Sequence, residues 1–124
     1  MSEIRITALL RVADGKLDEF KEFCSTLVEK VRKDEVGNTT TYDFYLDESD
    51  SAICLVQEVY VDAKAFSKHA DNMSAMGQTH EHLFSIERLD ICGQLLLEQA
   101  RAMREYAEAS DIRYTNFNYV CATL

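Results

Sequence analysis

The spacing of hydrophobic residues changes in a set order along the first 92 residues, and this order constrains the fold more than any other feature. From Ile4 to Val12 apolar residues occupy every second position, which is the period of a strand with one buried face. From Leu17 to Val31 they recur every three or four residues, as on an amphipathic helix that we expect to end near Asp34. The chain therefore begins with a strand and a helix.

Two more strands are predicted next, joined by a short turn. Residues Thr39 to Leu46 are almost all β-branched or aromatic, and Ala52 to Val61 are rich in isoleucine, leucine and valine. The segment between them, 47–51, is a cluster of polar turn residues. This pattern favours an antiparallel hairpin.

A second helix and a fourth strand complete the order. Asp62 is a plausible N-cap, and an apolar stripe at helical spacing then continues to Phe84, with Gly77 as a kink or break. The members of this stripe are Phe66, His69, Ala70, Met73, Met76, His80, Leu83 and Phe84. Residues Ser85 to Cys92 are too few for a substantial helix and are predicted to be a strand.

The resulting order, β-α-β-β-α-β, is that of a ferredoxin-like α+β fold, in which two helices cover one face of a four-stranded antiparallel sheet. Strands two and three carry apolar residues on both faces, and water contact would cost about 25 cal/mol per Å² of that surface. We therefore expect a second copy of the chain to cover the other face, giving a homodimer.

The remaining residues extend this unit. A helix is predicted from about Gln94 to Ala109, and an extended segment from Ile112 to Val120. At 124 residues the chain is long enough for one hydrophobic core. Residues 1–92 are thus predicted to form the ferredoxin-like domain, and residues 93–124 a helix-strand extension of the same domain.

Charge and composition exclude several classes of partner. The formal net charge of -9 would repel phosphate backbones and anionic lipid, so we expect neither nucleic acid nor membrane as a partner. No apolar run approaches the roughly 20 residues that cross a bilayer, and the N-terminus lacks the apolar region of a signal peptide, which predicts a cytoplasmic protein. The four cysteines form no C-x-x-C pair and are predicted to be small buried residues.

Four short segments, in their order and spacing, resemble the antibiotic biosynthesis monooxygenase family over roughly the first 92 residues. They are Glu35-Val36-Gly37, Tyr42-Asp43-Phe44-Tyr45, Glu58-Val59-Tyr60 and Ala65-Phe66-Ser67-Lys68-His69. Val36 replaces the family's usual proline, and Tyr60 stands where tryptophan is common. The resemblance implies a dimeric αβ barrel with one ligand cleft per subunit between sheet and helices. The family includes cofactor-free oxygenases of polycyclic phenols, haem-degrading enzymes and isomerases, so the fold transfers better than the chemistry.

His69 is the predicted catalytic residue. A cofactor-free oxygenase needs a base that converts a phenol into its anion, donors for the developing oxyanion, and a dry pocket. Imidazole suits proton transfer at neutral pH, and the buried stripe would direct His69 toward the sheet. The alternative is a core histidine bonded to a tyrosine or to a backbone carbonyl.

A cleft beside the second helix would place a carboxylate and several rings around a flat, small hydrophobic or aromatic ligand. The predicted substrate-binding residues are Tyr42, Phe44, Glu58, Tyr60, Phe66 and His80. Arg5 or Arg11 would pair with a buried Glu58, and His80 would join this face only if the helix continues through Gly77. Alternatively, these residues are packing aromatics and an ion-paired glutamate.

No metal site or other cofactor is predicted. His80 and His82 would point about 200° apart on a helix, and no H-E-x-x-H motif is present. Haem degradation usually needs an asparagine near the start of the first strand, where this chain has Thr7. The leading hypothesis is a cofactor-independent monooxygenase acting on a small aromatic or quinol-like molecule. The alternative is a small-molecule-binding or stress-response protein without catalytic activity.

Overall fold

The fold is a single mixed sheet with helices packed on one of its faces. A computed structural model describes residues 2–76 and 80–124. In chain order the elements are β1 (Ile4–Val12), α1 (Leu17–Asp34), β2 (Thr39–Leu46), β3 (Ile53–Tyr60), α2 (Ala63–Ser74), β4 (Phe84–Cys92), α3 (Leu97–Ala109) and β5 (Arg113–Phe117).

The strand order in the sheet is β2-β3-β1-β4-β5. The first four strands pair in antiparallel fashion, and the β2–β3 hairpin is confirmed, as is the ferredoxin-like arrangement. The extension adds β5 to the outer edge of β4 as a parallel neighbour, with α3 as the crossover that a parallel pair requires. The sheet of one chain is open and does not close into a barrel.

Strand β1 lies in the middle of the sheet, and its alternation divides the two faces. Ile4, Ile6, Ala8, Leu10 and Val12 are all buried on the face that the helices cover. The same core contains residues of all three helices, among them Phe20 of α1, Phe66 of α2 and Ala107 of α3. Burial of this face therefore holds the extension and the ferredoxin-like unit together.

The opposite face of the sheet, which we call the open face, is only partly covered. Leu9, Leu55 and Tyr45 form a row across three strands, since Leu55 pairs with both of the others. Leu9 and Leu55 are half-buried, and Tyr45 is 52% exposed. Ile53 and Val59 add further partly exposed apolar surface. No helix of the described ranges shields this row from water.

The second half of the chain departs from the predicted bounds. Helix α2 ends at Ser74, so the prediction of one helical stripe through Phe84 is wrong: His80 and Leu83 lie in a turn, and Phe84 begins β4. The predicted kink at Gly77 falls outside the described residues. Helix α3 begins at Leu97 rather than Gln94, and β5 ends at Phe117 rather than Val120.

Two smaller predictions have mixed outcomes. Asp62 does cap α2, because its carboxylate accepts a hydrogen bond of 2.8 Å from the Ala65 amide. Of the four cysteines only Cys54 is fully buried, while Cys24 is half-buried and Cys92 and Cys121 are exposed, so the prediction of buried thiols is wrong for two of them. Within the part of the chain that the structure describes, no helix is long and apolar enough to span a membrane.

Candidate functional site

A cavity of about 340 Å³ lies between the sheet and helices α1 and α2, within the usual size range of ligand sites. The sheet contributes its floor, including Ala8, Leu10 and Val56, and the helices contribute Phe23 and Met73. Most of the lining is apolar. The polar groups on its wall are Tyr42, Glu58, His80 and Glu81.

Aromatic rings form one side of the cavity. Phe23 stacks on His80 with 4.3 Å between ring centroids, and on Phe84 with 5.9 Å at an interplanar angle of 26°. On β2, the rings of Tyr42 and Phe44 meet edge to face with 5.1 Å between their centroids. Flat walls of this kind favour a planar, aromatic ligand through offset stacking.

Glu58 is the carboxylate that reaches the cavity. Strand β3 places it on the same face as Val56 and Tyr60, and its side chain is only 13% exposed. Burial raises the pKa of Glu58 above its ordinary value, although the hydrogen bond from the Tyr60 hydroxyl and the nearby His69 act in the opposite direction. A carboxyl group with a raised pKa in an apolar cavity is a stronger base than an ordinary glutamate and is suited to accept and return a proton.

His69 lies behind Glu58 and does not line the cavity. Its ring is buried, with only 6% of the residue exposed, and its Nε2 atom is 3.8 Å from Oε1 of Glu58. Its Nδ1 atom is 2.9 Å from Oε1 and 3.1 Å from Oε2 of Glu35. Because a carboxylate only accepts hydrogen bonds, Nδ1 carries a proton and donates a hydrogen bond to Glu35, while Nε2 faces Glu58.

Glu35 contacts the His69 ring on the side opposite Glu58, and the three residues form a polar network. It is the residue that follows α1, and only 3% of it is exposed. Burial alone would raise the pKa of Glu35, but hydrogen bonds from Thr39 (2.6 Å), Asn72 (2.7 Å) and His69 together lower it. Glu35 is therefore a buried anion that fixes the orientation of the imidazole.

Two tyrosines flank the imidazole. The rings of Tyr42 and Tyr60 each lie 5.1 Å from the His69 ring. Burial, followed by the Glu58 carboxylate, raises the pKa of both phenols, so both keep their protons, and the Tyr60 hydroxyl donates a hydrogen bond to Glu58. Tyr42 lines the cavity, whereas Tyr60 is fully buried and packs on Phe66 with 5.3 Å between centroids.

The structure therefore brings most of the predicted site residues into one cluster. Tyr42, Phe44, Glu58 and His80 line the cavity, and His69, Tyr60 and Phe66 lie directly behind that wall. The prediction that Arg5 or Arg11 neutralises Glu58 is wrong. Both arginines project from the other face of the sheet, where they pair with Glu3 and Glu87.

Sequence reasoning did not identify Glu35, Thr39 and Asn72 as partners in this network. A usable signal existed for Asn72, which lies three residues after His69 and so shares its side of α2. Glu35 is 34 positions from His69, and only the tertiary fold reveals that contact.

The network is not a metal site. Within the described ranges 2–76 and 80–124, no three histidine, cysteine, aspartate or glutamate side chains converge on one point that could hold a metal ion. Glu35 and Glu58 lie at opposite nitrogens of the His69 ring, so the three groups cannot share one ion.

The fold and the site together define a ferredoxin-like α+β domain with a ligand-sized cavity between its sheet and its helices. Residues 3–81 match the antibiotic biosynthesis monooxygenase family, and the chain belongs to that family. No curated protein matches the chain in sequence.

Several solved structures are similar to the chain. MupZ from Pseudomonas fluorescens is 19% identical with a TM-score of 0.72, and the likeness covers 99% of this chain and 96% of MupZ. A conserved protein from Methanosarcina mazei Go1 is 22% identical with a TM-score of 0.63, covering 73% of this chain and 91% of that one. A protein of Caulobacter crescentus CB15, named as a candidate antibiotic biosynthesis monooxygenase, is 26% identical with a TM-score of 0.54, covering 69% and 86%. The first two show a shared fold, which for MupZ extends through α3 and β5.

Proposed function

We propose that the protein is a cofactor-independent monooxygenase that oxidises a small aromatic or quinol-like molecule with O2. The main support is the position of Glu58. Its carboxyl group has a raised pKa and faces an aromatic cavity, and the His69–Glu35 pair lies directly behind it. Membership of the antibiotic biosynthesis monooxygenase family supports it.

The reaction starts with proton transfer from the bound phenol, or from its acidic ring CH2 group, to the Glu58 carboxylate. The resulting carbanion transfers electrons to O2, and a C–O bond forms to give a hydroperoxide. A second C–H bond and the O–O bond then break, so that CH2 becomes C=O and one water leaves. Carbon loses four electrons and O2 gains four. Glu58 accepts the first proton and returns it to the peroxide oxygen to give the hydroperoxide, then accepts the proton of the second C–H bond and returns it to the departing hydroxide, which leaves as water.

Three other residues assist this reaction. His69 and Glu35 lie behind Glu58, and Tyr42 lies on the cavity wall. His69, which the sequence predicts as the base, acts as a positioning residue, because its Nε2 atom faces the Glu58 carboxylate at 3.8 Å, beyond hydrogen-bond distance. Glu35 fixes the orientation of the imidazole through its contact with Nδ1. Tyr42 presents a protonated phenol to the cavity and is suited to donate to the substrate oxyanion.

Oxygen consumption with a panel of dihydroxynaphthalenes and anthrones tests this proposal. We expect Glu58→Gln to lower kcat by about 10²- to 10⁴-fold, because the amide cannot accept the proton. Its fluorescence titration with 2-naphthol should remain close to that of the parent protein. Glu48→Gln, an exposed loop substitution, is the matched control. Turnover by Glu58→Gln at the parent rate would contradict the assignment.

The pH dependence of kcat/KM has a predicted sign. Glu58 works as a base only when it is ionised, and burial has raised its pKa. The rate should therefore rise with pH through an inflection above the ordinary glutamate value of about 4.3. This inflection should be missing from the residual activity of Glu58→Gln. An inflection at or below the ordinary value would show that Glu58 is not the base.

A second candidate is a binding protein that holds an aromatic molecule without converting it. The observation in its favour is that His69, the predicted base, is buried and already bonded to Glu35, so its imidazole does not reach the cavity. Mass spectrometry of the bound ligand separates the two functions. Recovery of unchanged ligand, after incubation in air with every compound of the panel, supports the binding protein.

We also propose that two copies associate through their open faces and form a dimeric αβ barrel. The row Leu9, Leu55 and Tyr45 supplies the apolar centre of that contact. Residues 1–92 then form the ferredoxin-like domain and residues 93–124 its extension. The cytoplasmic location drawn from the sequence stays a prediction.

A further inference from the structure

We propose that a second, polar chamber beside Phe84, walled by α3, receives the hydroxyl or ammonium end of an elongated ligand whose aromatic part occupies the first cavity. This inference uses only the ligand-binding part of the proposed function and does not require turnover. It assigns to the extension, residues 93–124, a role in ligand selection. The selection depends on the length of the ligand and on the charge at the end remote from its aromatic ring.

The two spaces share a wall. The second cavity has a volume of about 260 Å³, and Glu81, Phe84 and Ile86 line both it and the first cavity. These three side chains are therefore the partition between the chambers. A ligand whose aromatic ring lies beside Phe84 would need a chain of a few carbon atoms to reach the second chamber around these side chains.

The second chamber differs in chemistry from the first. The second chamber opens to solvent: Tyr106, which is 48% exposed, and the exposed Ser110 and Ser85 contribute hydroxyls to its rim, and Glu81 contributes a carboxylate. Burial, and then the Glu81 carboxylate, raises the pKa of Tyr106, so its phenol remains protonated. Among the described residues that line this chamber none is cationic. An alcohol or an ammonium group would find partners here, whereas a carboxylate or phosphate would be repelled.

Helix α3 positions two of these hydroxyls, those of Tyr106 and of Ser110 at its C-terminal end. The side chain of Gln99 donates hydrogen bonds of 2.9 Å to the Ala63 carbonyl and to the Ser67 hydroxyl of α2, and Ala107 is buried in the common core. Tyr106, which precedes Ala107, is thereby kept beside Glu81. Since α3 lies outside the segment that matches the family, this chamber is an addition to the family's common unit.

Fluorescence titration with three probes tests the inference: 2-naphthol, 6-(4-hydroxybutyl)-2-naphthol, and the same naphthol with a terminal carboxylate. We expect the hydroxyl probe to bind about tenfold more tightly than 2-naphthol, as one well-placed hydrogen bond allows, and the carboxylate probe to gain nothing. Combining Tyr106→Phe with Ser110→Ala should reduce the affinity for the hydroxyl probe to that for 2-naphthol, while 2-naphthol binding stays unchanged. Tyr119→Phe, on a residue that is 91% exposed, is the control for the tyrosine substitution.

Several results would overturn the inference. Equal affinity for 2-naphthol and the hydroxyl probe would show that the second chamber is not used. If the double variant loses affinity for 2-naphthol and for the hydroxyl probe equally, Tyr106 and Ser110 have a structural role only. If no naphthol binds, both chambers fail as ligand sites. Binding of the predicted pattern without oxygen consumption would remove the monooxygenase function and leave the chamber in place.

Discussion

Glu35 is a buried charge that hydrogen bonds, rather than water, stabilise. Its two carboxylate oxygens accept hydrogen bonds from Thr39, Asn72 and His69, which come from the start of β2 and from α2. These bonds explain why its pKa is lowered although burial acts to raise it. The residue thus stabilises the fold and also orients the imidazole behind the cavity.

Replacing Glu35 by glutamine should destabilise the protein. The amide group offers one acceptor oxygen in place of two and brings a donor toward Asn72, so we expect a loss of about 2 kcal/mol in urea unfolding at pH 7. Glu22→Gln, on the exposed side of α1, is the control and should change little. An unchanged unfolding midpoint for Glu35→Gln would contradict the role of this network.

The same substitution has a predicted pH dependence. Because the folded-state pKa of Glu35 is lowered, its ionisation contributes stability above the pKa of the unfolded chain, and this stability is lost as pH falls through the folded value. The difference in unfolding free energy between the parent protein and Glu35→Gln should therefore shrink below about pH 4.3. A difference that stays constant from pH 7 to pH 3 would exclude this linkage.

At the residue scale the sequence could predict side chains that share an element, but not those that meet across the fold. His69 and Glu58 belong to helical and strand stripes, so periodicity placed both on the buried side of the sheet. The partner of His69 depends on where α1 ends in relation to α2, which no local pattern contains. The predicted pairing of Glu58 with Arg5 or Arg11 failed for a different reason: alternation along β1 directs both arginines to the other face of the sheet.

At the scale of elements, Gly93 fixes the joint between β4 and the extension. Its φ of +115° lies in the region that favours glycine, and an added Cβ atom would stand 2.6 Å from the backbone oxygen of Glu3. Its amide also donates to the Phe117 carbonyl at 2.9 Å. Backbone conformation and close approach both require glycine here.

Gly93→Ala should therefore be markedly destabilising, by about 2 to 3 kcal/mol, because strain and steric overlap add. Gly15→Ala is a matched control, since Gly15 has a φ of +73° but no atom within 4 Å of an added Cβ. Its expected cost is only about 1 kcal/mol. Thermal unfolding of the two variants measures the difference, and equal costs would mean that the contact with Glu3 relaxes freely.

Gln99 is the polar link between α3 and α2. Gln99→Ala leaves the Ala63 carbonyl without its donor, and we expect a loss of about 1 to 2 kcal/mol. Hydrogen exchange should show faster opening of α3, with β1 unaffected. Glu105→Ala, on the exposed side of α3, is the control. Equal acceleration throughout the chain would instead show that the extension and the main unit open together.

The elements that sequence periodicity defined best are those with long, uninterrupted patterns. β1, β2 and the end of α1 agree with the predicted bounds. The stripe of α2 was extended too far because Leu83 and Phe84 continue the helical spacing by coincidence, while they face the core from a turn and a strand. The parallel pairing of β5 depends on the path of α3, which periodicity does not report.

At the scale of the whole molecule, the open face predicts the oligomeric state. Leu55→Asp places a charge at the centre of the row formed with Leu9 and Tyr45, so we expect a dimer-to-monomer change. Light scattering should give twice the 14.2 kDa chain mass for the parent protein and the single mass for the variant. Leu97→Asp, an exposed leucine of α3, should remain dimeric. A parent protein of single mass would refute the proposed assembly.

The addition of β5 has one more consequence, for edge-to-edge association of separate chains. With β1 on one side and β5 on the other, the backbone of β4 from Arg88 to Cys92 has its hydrogen-bonding groups directed at strands of its own chain. Asn116 occupies two further carbonyls there, those of Ile91 and Gly93. Unpaired strand edges are where foreign strands attach and aggregates grow. The last strand thus protects the β4 edge of the four-stranded unit, from Arg88 to Cys92, from such growth.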